Sequence, residues 1–424
     1  MQKPIYILLV FLFSFSNLLA QNKILKEQAI DEFKKEHYDK AIELLEQALM
    51  ASADDPEIFY YLGFFNHYRA YDSRPLSGYD YSYSEKIFDY LDKAIELDPD
   101  YGDAKYFYGA ECSGNAFVAM QNYDLKQLKY FYKLAFDKGA YPLWLLEYGR
   151  NILTLCNQNA ILFTGGNSDF DVCSYLQLHE NFRNDITIIP IGNIDRPWYV
   201  KYLADGLKGG LEKISLNLTD SQIMDIHPFK WDTTIVMIPV SNTMQIKYNL
   251  DSNYKMQWVV EPDLSSGRDH SKIAGEAATK RTYLSPQRAI LLQIIEDNYT
   301  KRPIYFTNLV DPTFVAGLHA YFQNCGLISQ LLPFQTSQTE YSNNYHSIYQ
   351  LLQSHNFVYY STIIDNDIPR ISGMVYSYYH AFLNLANYYK KNNETEDLEN
   401  LIQLFKTSIV IGFNPNYEKR FEFE

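Results

Sequence analysis

The spacing of apolar residues changes near residue 157. Before it, they recur every three or four positions, the mark of a helix with one buried side; after it, they collect into short unbroken runs bounded by Gly and Pro, the mark of buried strands. Tyr38, Ala41, Leu45 and Ala48 form the first helical stripe. Pro56 opens the next helix, in which Phe59, Leu62 and Gly63 supply an aromatic, a Leu and a small residue. After an irregular segment at 71–84, Ile87, Leu91 and Ala94 renew the stripe, and Leu97-Asp98-Pro99-Asp100-Tyr101 reads as a turn. A third pair opens with Tyr108-Gly109 and closes with Leu128, Tyr132 and Ala135 before Gly139. Small residues at helix crossings, large ones beside them and proline in the turns are what stacked α-hairpins require.

In the second half, 160–164 reads as a buried strand, Gly165-Gly166-Asn167 as a turn, 170–182 as a helix and 186–191 as the next strand. Such a βαβ unit has a right-handed crossover, which predicts a Rossmann-like α/β domain with a mainly parallel sheet. Further on, the pattern predicts a strand at 233–240, polar loop and helix at 267–279, a helix at 285–297, a strand at 302–308, a helix at 313–324 and a last strand at 328–332. Two amphipathic helices follow at 376–389 and 398–410, and Phe413-Asn414-Pro415-Asn416-Tyr417 echoes the turn after Leu97. The organisation expected is a signal peptide at 1–20, helical repeats at 21–150, an α/β domain at 151–345 and a helical region at 346–424.

The first residues add a compartment. Lys3, the apolar run 5–15 and Ala20 before Gln21 have the layout of a cleavable export signal, too short for a bilayer span. Export into the periplasm or outer envelope of a Gram-negative bacterium is expected, with no transmembrane segment after cleavage. Fifty-one acidic against 37 basic residues give a net charge of −14, which repels phosphate backbones and excludes nucleic acid as a partner class. Cys112, Cys156, Cys173 and Cys325 form no CxxC, so neither a zinc ribbon nor a redox dithiol is encoded; buried thiols and a bridge both stay open.

Candidate chemistry is sparse. Gly165-Gly166 at the carboxyl end of a parallel strand is where open α/β sheets bind ligands. Asp169 and Asp171 near the following helix start can cap it, hold a cation or meet sugar hydroxyls. Asp195 and Trp198 follow the next strand, and Arg302 before Pro303 is placed to pair with an aspartate or to form a surface ion pair. GxGxxG, the phosphate loop, HExxH and GxSxG are absent, and Arg268-Asp269-His270 alone sets a His beside a carboxylate. No catalytic set, metal site or cofactor is expected.

The hairpins at 25–140 resemble the tetratricopeptide repeat (TPR) family, with insertions that lengthen each unit, notably at 73–81. That resemblance implies a concave surface for a protein or peptide partner. Phe163-Thr164-Gly165-Gly166 with Asp169, then Trp198-Tyr199-Val200-Lys201, Lys301-Arg302-Pro303-Ile304-Tyr305-Phe306, Gly317-Leu318 and Leu331-Leu332-Pro333, resemble the soluble C-terminal portion of Bacteroidetes membrane proteins related to protein O-mannosyltransferases. This sequence departs from them at Asn167 and Phe170, and their transferase chemistry is attributed to a multi-span region with no counterpart here. The function expected is non-catalytic binding or scaffolding through the repeats, with a carbohydrate-binding or carbohydrate-active α/β domain as the alternative.

Overall fold

The computed structural model describes residues 22–72, 79–206, 213–265, 281–337, 339–356, 358–359 and 368–408. The signal segment 1–20, most of the 73–81 insertion, the 267–279 segment with Arg268-Asp269-His270, and the 413–417 turn lie outside the described residues. The chain divides into two compact units, one comprising residues up to 116 with 131–141, the other 117–130 with 142–424.

The first unit is built of α-hairpins. Helix α1 (22–34) is followed by α2 (Tyr38–Ala51), α3 (Pro56–Asp72), α4 (Ser84–Leu97), α5 (Gly102–Gln121) and α6 (Leu125–Asp137). Asp55 starts α3: its carboxylate accepts from the Glu57 and Ile58 N–H groups at 3.0 and 3.4 Å, and Pro56 takes the first helical position, where no N–H is needed. Lys26 of α1 donates to Asp55 at 3.0 Å, tying the two helices at that end. Ala41, Leu45, Ala48, Leu62, Leu91, Ala94 and Ala135 are fully buried and Tyr108 nearly so, whereas Tyr38 and Phe59 are half-buried and Pro99 is exposed in its turn. Gly63 sits against Leu91, where an added Cβ would lie 3.0 Å from Cδ2; at Gly109 it would lie 2.7 Å from the Ala140 Cβ. Both glycines therefore mark close approaches.

A polar hub crosses this apolar unit. Buried Glu111 accepts from Ser84 Oγ, from Tyr79 OH at 2.7 Å and from His67 Nδ1 at 2.8 Å. Three donors around one carboxylate offset the cost of burying it. Tyr71 and Tyr81 lean edge-on against Tyr79, with ring centroids 4.9 and 4.8 Å apart, and remain exposed.

In the second unit, α7 (Leu143–Leu155) leads into β1 (Ile161–Thr164), α8 (Asn167–Glu180), β2 (Thr187–Pro190) and α9 (Pro197–Asp205). Short pieces follow: α10 (Asp220–Met224), β3 (Phe229–Lys230), β4 (Thr234–Pro239), α11 (Asn242–Lys247), β5 (Lys255–Val260), β6 (Leu264–Ser265) and β7 (Arg281–Leu284). The chain continues with α12 (Pro286–Asn298), β8 (Ile304–Thr307), β9 (Phe322–Asn324), β10 (Ile328–Leu331), α13 (Tyr345–Leu351), α14 (Ile368–Asn392) and α15 (Thr395–Ser408). The main sheet has the order β2-β1-β8-β10-β9, with β3-β7-β6 and β4-β5 as separate small antiparallel sheets. Every residue of β1, β2 and β8 is buried, as a parallel strand covered on both faces must be.

Two expectations need correction. The sheet is mixed rather than mainly parallel: β2, β1 and β8 run parallel, but β10 pairs antiparallel with both β8 and β9. The helix expected at 313–324 does not form. Ala316 and Gly317 take positive φ (51° and 83°), which ends a 3₁₀ turn at Pro312–Val315; a second turn at Leu318–Tyr321 then runs into β9. β9 thus runs the same way as β8 without pairing to it, and the short turn at 325–327 folds β10 back between them, antiparallel to both. No helix among the described residues is long and apolar enough to cross a membrane.

Candidate functional site

Strands β1, β2 and β8 point their carboxyl ends the same way, and the turns after them form one edge of the second unit. The Gly165-Gly166 turn lies there as expected, but its chemistry is internal. Asp169 is completely buried, and its carboxylate accepts from the N–H groups of Gly165 (2.9 Å), Gly166 (3.1 Å) and Phe170 (3.1 Å) and from the Thr307 hydroxyl (2.5 Å). It thus caps α8 and latches the end of β8 to the end of β1. Burial pushes its pKa up, against the pull of the four donors. Gly165 is required by contact: an added Cβ would fall 2.2 Å from the Leu309 carbonyl oxygen, so backbone from the turn after β8 occupies the crevice above it.

The remaining candidates do not converge on this turn. Asp171 is buried in α8. Asp195 lies beyond β2 at the same edge, where Gln287 of α12 donates to it at 2.8 Å; burial raises its pKa. Trp198 is half-buried and packs edge-on against Phe117 and Tyr199, with centroids 6.2 and 5.4 Å away. Arg302 belongs to the opposite edge. It is buried, and its guanidinium donates to the Asn159 and Ala160 carbonyls (2.9 and 3.0 Å) and to Thr187 Oγ1 (2.7 Å), which clamps the amino ends of β1 and β2. Strands of four residues separate it from Asp169 by roughly 10 Å. Burial against backbone carbonyls replaces the surface ion pair expected of it.

The concave feature of this edge lies alongside, between the carboxyl end of β8, strands β9 and β10, and helix α14. It is a cleft of about 480 Å³, within the range of small-molecule sites. Phe306 and Phe322 lie at its base, 4.8 Å apart by centroid. Asn308, His319, Asn324, Tyr376, His380 and Asn384 bring polar groups to it. Asn308 donates to the Gly326 carbonyl at 2.7 Å, and Asn324 accepts from the Gly326 N–H and donates to Asn343, both at 2.9 Å, so the two amides are held by the β9–β10 turn. Tyr376 is 44% exposed and is propped by the edge of His380, with centroids 4.2 Å apart. A smaller hollow of about 250 Å³, lined by Gly165, Gly166, Ser168, Asp169 and Met374, shares Leu309 and Gly373 with this cleft.

Reading by sequence missed this site. Its signal was present on α14, where Gly373, Tyr376, Ser377, His380 and Asn384 recur at helical spacing and form a second, polar stripe beside the apolar one of Tyr378, Ala381, Phe382 and Leu385. Nothing local says that this stripe meets β8.

Residues 145–209 and 211–348 match the family model described as TMEM260-associated domain 2, a family tied to membrane proteins related to protein O-mannosyltransferases. The matched stretch runs from α7 to α13 and includes β8, Asp169 and Arg302, while α14 lies beyond it. No curated protein and no solved structure matches the chain.

Proposed function

We propose that this protein is a non-catalytic binding and scaffold protein, exported to the periplasm or outer envelope. In this reading its hairpins are TPR-like repeats that hold a protein or peptide partner, and the β2-β1-β8 half of the sheet is a Rossmann-like fragment that carries a second binding site. The observation that carries it is the fate of the acidic candidates. Asp169 spends both carboxylate oxygens on internal donors, and Arg302 stands at the far edge, so these two charged candidates hold the sheet together rather than serve the cleft. On the first unit, Tyr68, Tyr71 and Tyr106 stay exposed on α3 and α5, the rigid amphipathic side chains favoured at protein interfaces.

Photo-crosslinking of the full chain in its host tests the proposal. A crosslinker in place of Tyr68 or Tyr106 is expected to trap one and the same partner, while one in place of exposed Met50 on α2 traps none. The trapped protein is expected to begin at Gln21. Absence of adducts at both tyrosines, or an uncleaved cytoplasmic chain, overturns the reading.

A further inference from the structure

Asp, Glu, Lys and Arg make up 21% of the chain, yet among the described residues none lines the cleft beside α14, and the adjoining hollow has only the internally bonded Asp169. A site for a phosphate, a nucleotide or a carboxylate is usually built with fixed opposite charge, and among the described residues no group of three His, Cys, Asp or Glu stands together to hold a metal ion. What the cleft offers instead is carboxamides from Asn308, Asn324 and Asn384, imidazole rings from His319 and His380, and the half-exposed ring of Tyr376.

The side chains of Asn384 and His319 make no hydrogen bond to another described residue, so their donors and acceptors are available to a ligand. Asn308 and Asn324, by contrast, are fixed by the β9–β10 turn and present pre-set groups. Tyr376 is held edge-on by His380, which keeps its ring rigid while nearly half of it faces solvent. A ligand that suits this arrangement is uncharged, dense in hydroxyl groups that both donate and accept, and has an apolar C–H face to lie on a ring.

We infer that this cleft binds a neutral saccharide, one pyranose unit lying on Tyr376 with its hydroxyls directed to Asn308, Asn384 and His319. The inference rests on the reading of the chain as a binding protein and names the ligand class of its second site. A neutral peptide also offers paired donors and acceptors. A peptide added as a strand, however, needs an open sheet edge, and here the outer side of β9 is taken: the Asn324 N–H donates to the Ser342 carbonyl and the Asn344 N–H to the Asn324 carbonyl.

The test uses the full chain with methyl glucopyranoside, methyl galactopyranoside and methyl mannopyranoside as probes, with glucuronate and a blocked tetraglycine as controls, read by saturation-transfer NMR and calorimetry. At least one methyl pyranoside is expected to bind. Its affinity should fall about tenfold, or about 1.4 kcal/mol, in Tyr376→Ala and be kept in Tyr376→Phe, and it should not change between low and high salt. Both variants are expected to melt close to the parent, because nearly half of Tyr376 faces solvent. Binding of none of the pyranosides at millimolar concentration, equal binding by Tyr376→Ala, or preference for glucuronate or the peptide overturns the inference. Partner crosslinking through Tyr68 and Tyr106 is measured on the same Tyr376→Ala protein. Crosslinking retained without sugar binding by the parent removes the ligand class alone, and loss of both removes the broader reading.

Discussion

Four donors converge on the Asp169 carboxylate, three from the turn that starts α8 and one from Thr307 at the end of β8. Asn in its place keeps the shape but has one acceptor oxygen in place of two, so buried donors lose their partner. Asp169→Asn is expected to cost about 2–3 kcal/mol, measured as a lowered denaturant midpoint with unchanged slope. Stability equal to the parent would show that the latch is dispensable. The capping half of this role was legible, since an Asp near a predicted helix start has few commoner uses. The Thr307 half was not, because nothing in the spacing of two residues 138 positions apart records that their strands are neighbours.

Helical elements were the most legible, and the glycines at their crossings show why. Gly63 and Gly109 stand in stripes whose period fixes which side is buried, and that side meets a neighbouring helix or turn. The two sites differ in what a methyl group would strike. At Gly63 the obstacles are Cγ and Cδ2 of the Leu91 side chain, both at 3.0 Å, which need give by only a few tenths of an ångström, and the helix gains about 1 kcal/mol of propensity from Ala. At Gly109 it is the Ala140 Cβ, which moves only with its backbone. Gly63→Ala is therefore expected to leave the melting temperature near that of the parent, and Gly109→Ala to lower stability by about 1–3 kcal/mol. A larger loss at Gly63 than at Gly109 would contradict this packing. Strand elements were legible in place but not in direction. The run at 328–332 reads as a strand whichever way it points, and the helix expected before it gave way to left-handed backbone at Ala316 and Gly317.

At the scale of the whole molecule, pH should act through Glu147. This residue of α7 is buried and accepts from the Val358 and Tyr359 N–H groups at 2.8 and 3.3 Å, and burial raises its pKa from 4.5 to about 7. Between those values the folded chain holds a proton that the unfolded chain has released. Stability contributed by this group is therefore full below pH 4.5 and is lost as pH rises to about 7, by about 2 kcal/mol once residual solvent access is allowed for. Glu147→Gln is expected to flatten that part of the stability profile, followed by thermal melts from pH 4.5 to pH 8; an unchanged profile would assign the slope elsewhere. The four cysteines are free and buried, so reductant should leave these melts unchanged.

What the sequence by itself determined is the series of elements with strong local period: the hairpins of the first unit, the β1-α8-β2 turn with its capping aspartate, and the C-terminal helix pair. Each follows from residues within a few turns or strands of one another, where the backbone's own repeat dictates which side chains share a face. Tertiary structure alone decided that the sheet is mixed, that Arg302 clamps the edge opposite Asp169, and that the polar stripe of α14 meets Asn308 and Asn324. Those outcomes depend on which distant elements share the buried space, and most of the surface that fills it is apolar whatever its partner, so the periodicity of any one segment carries no record of the neighbour it finds.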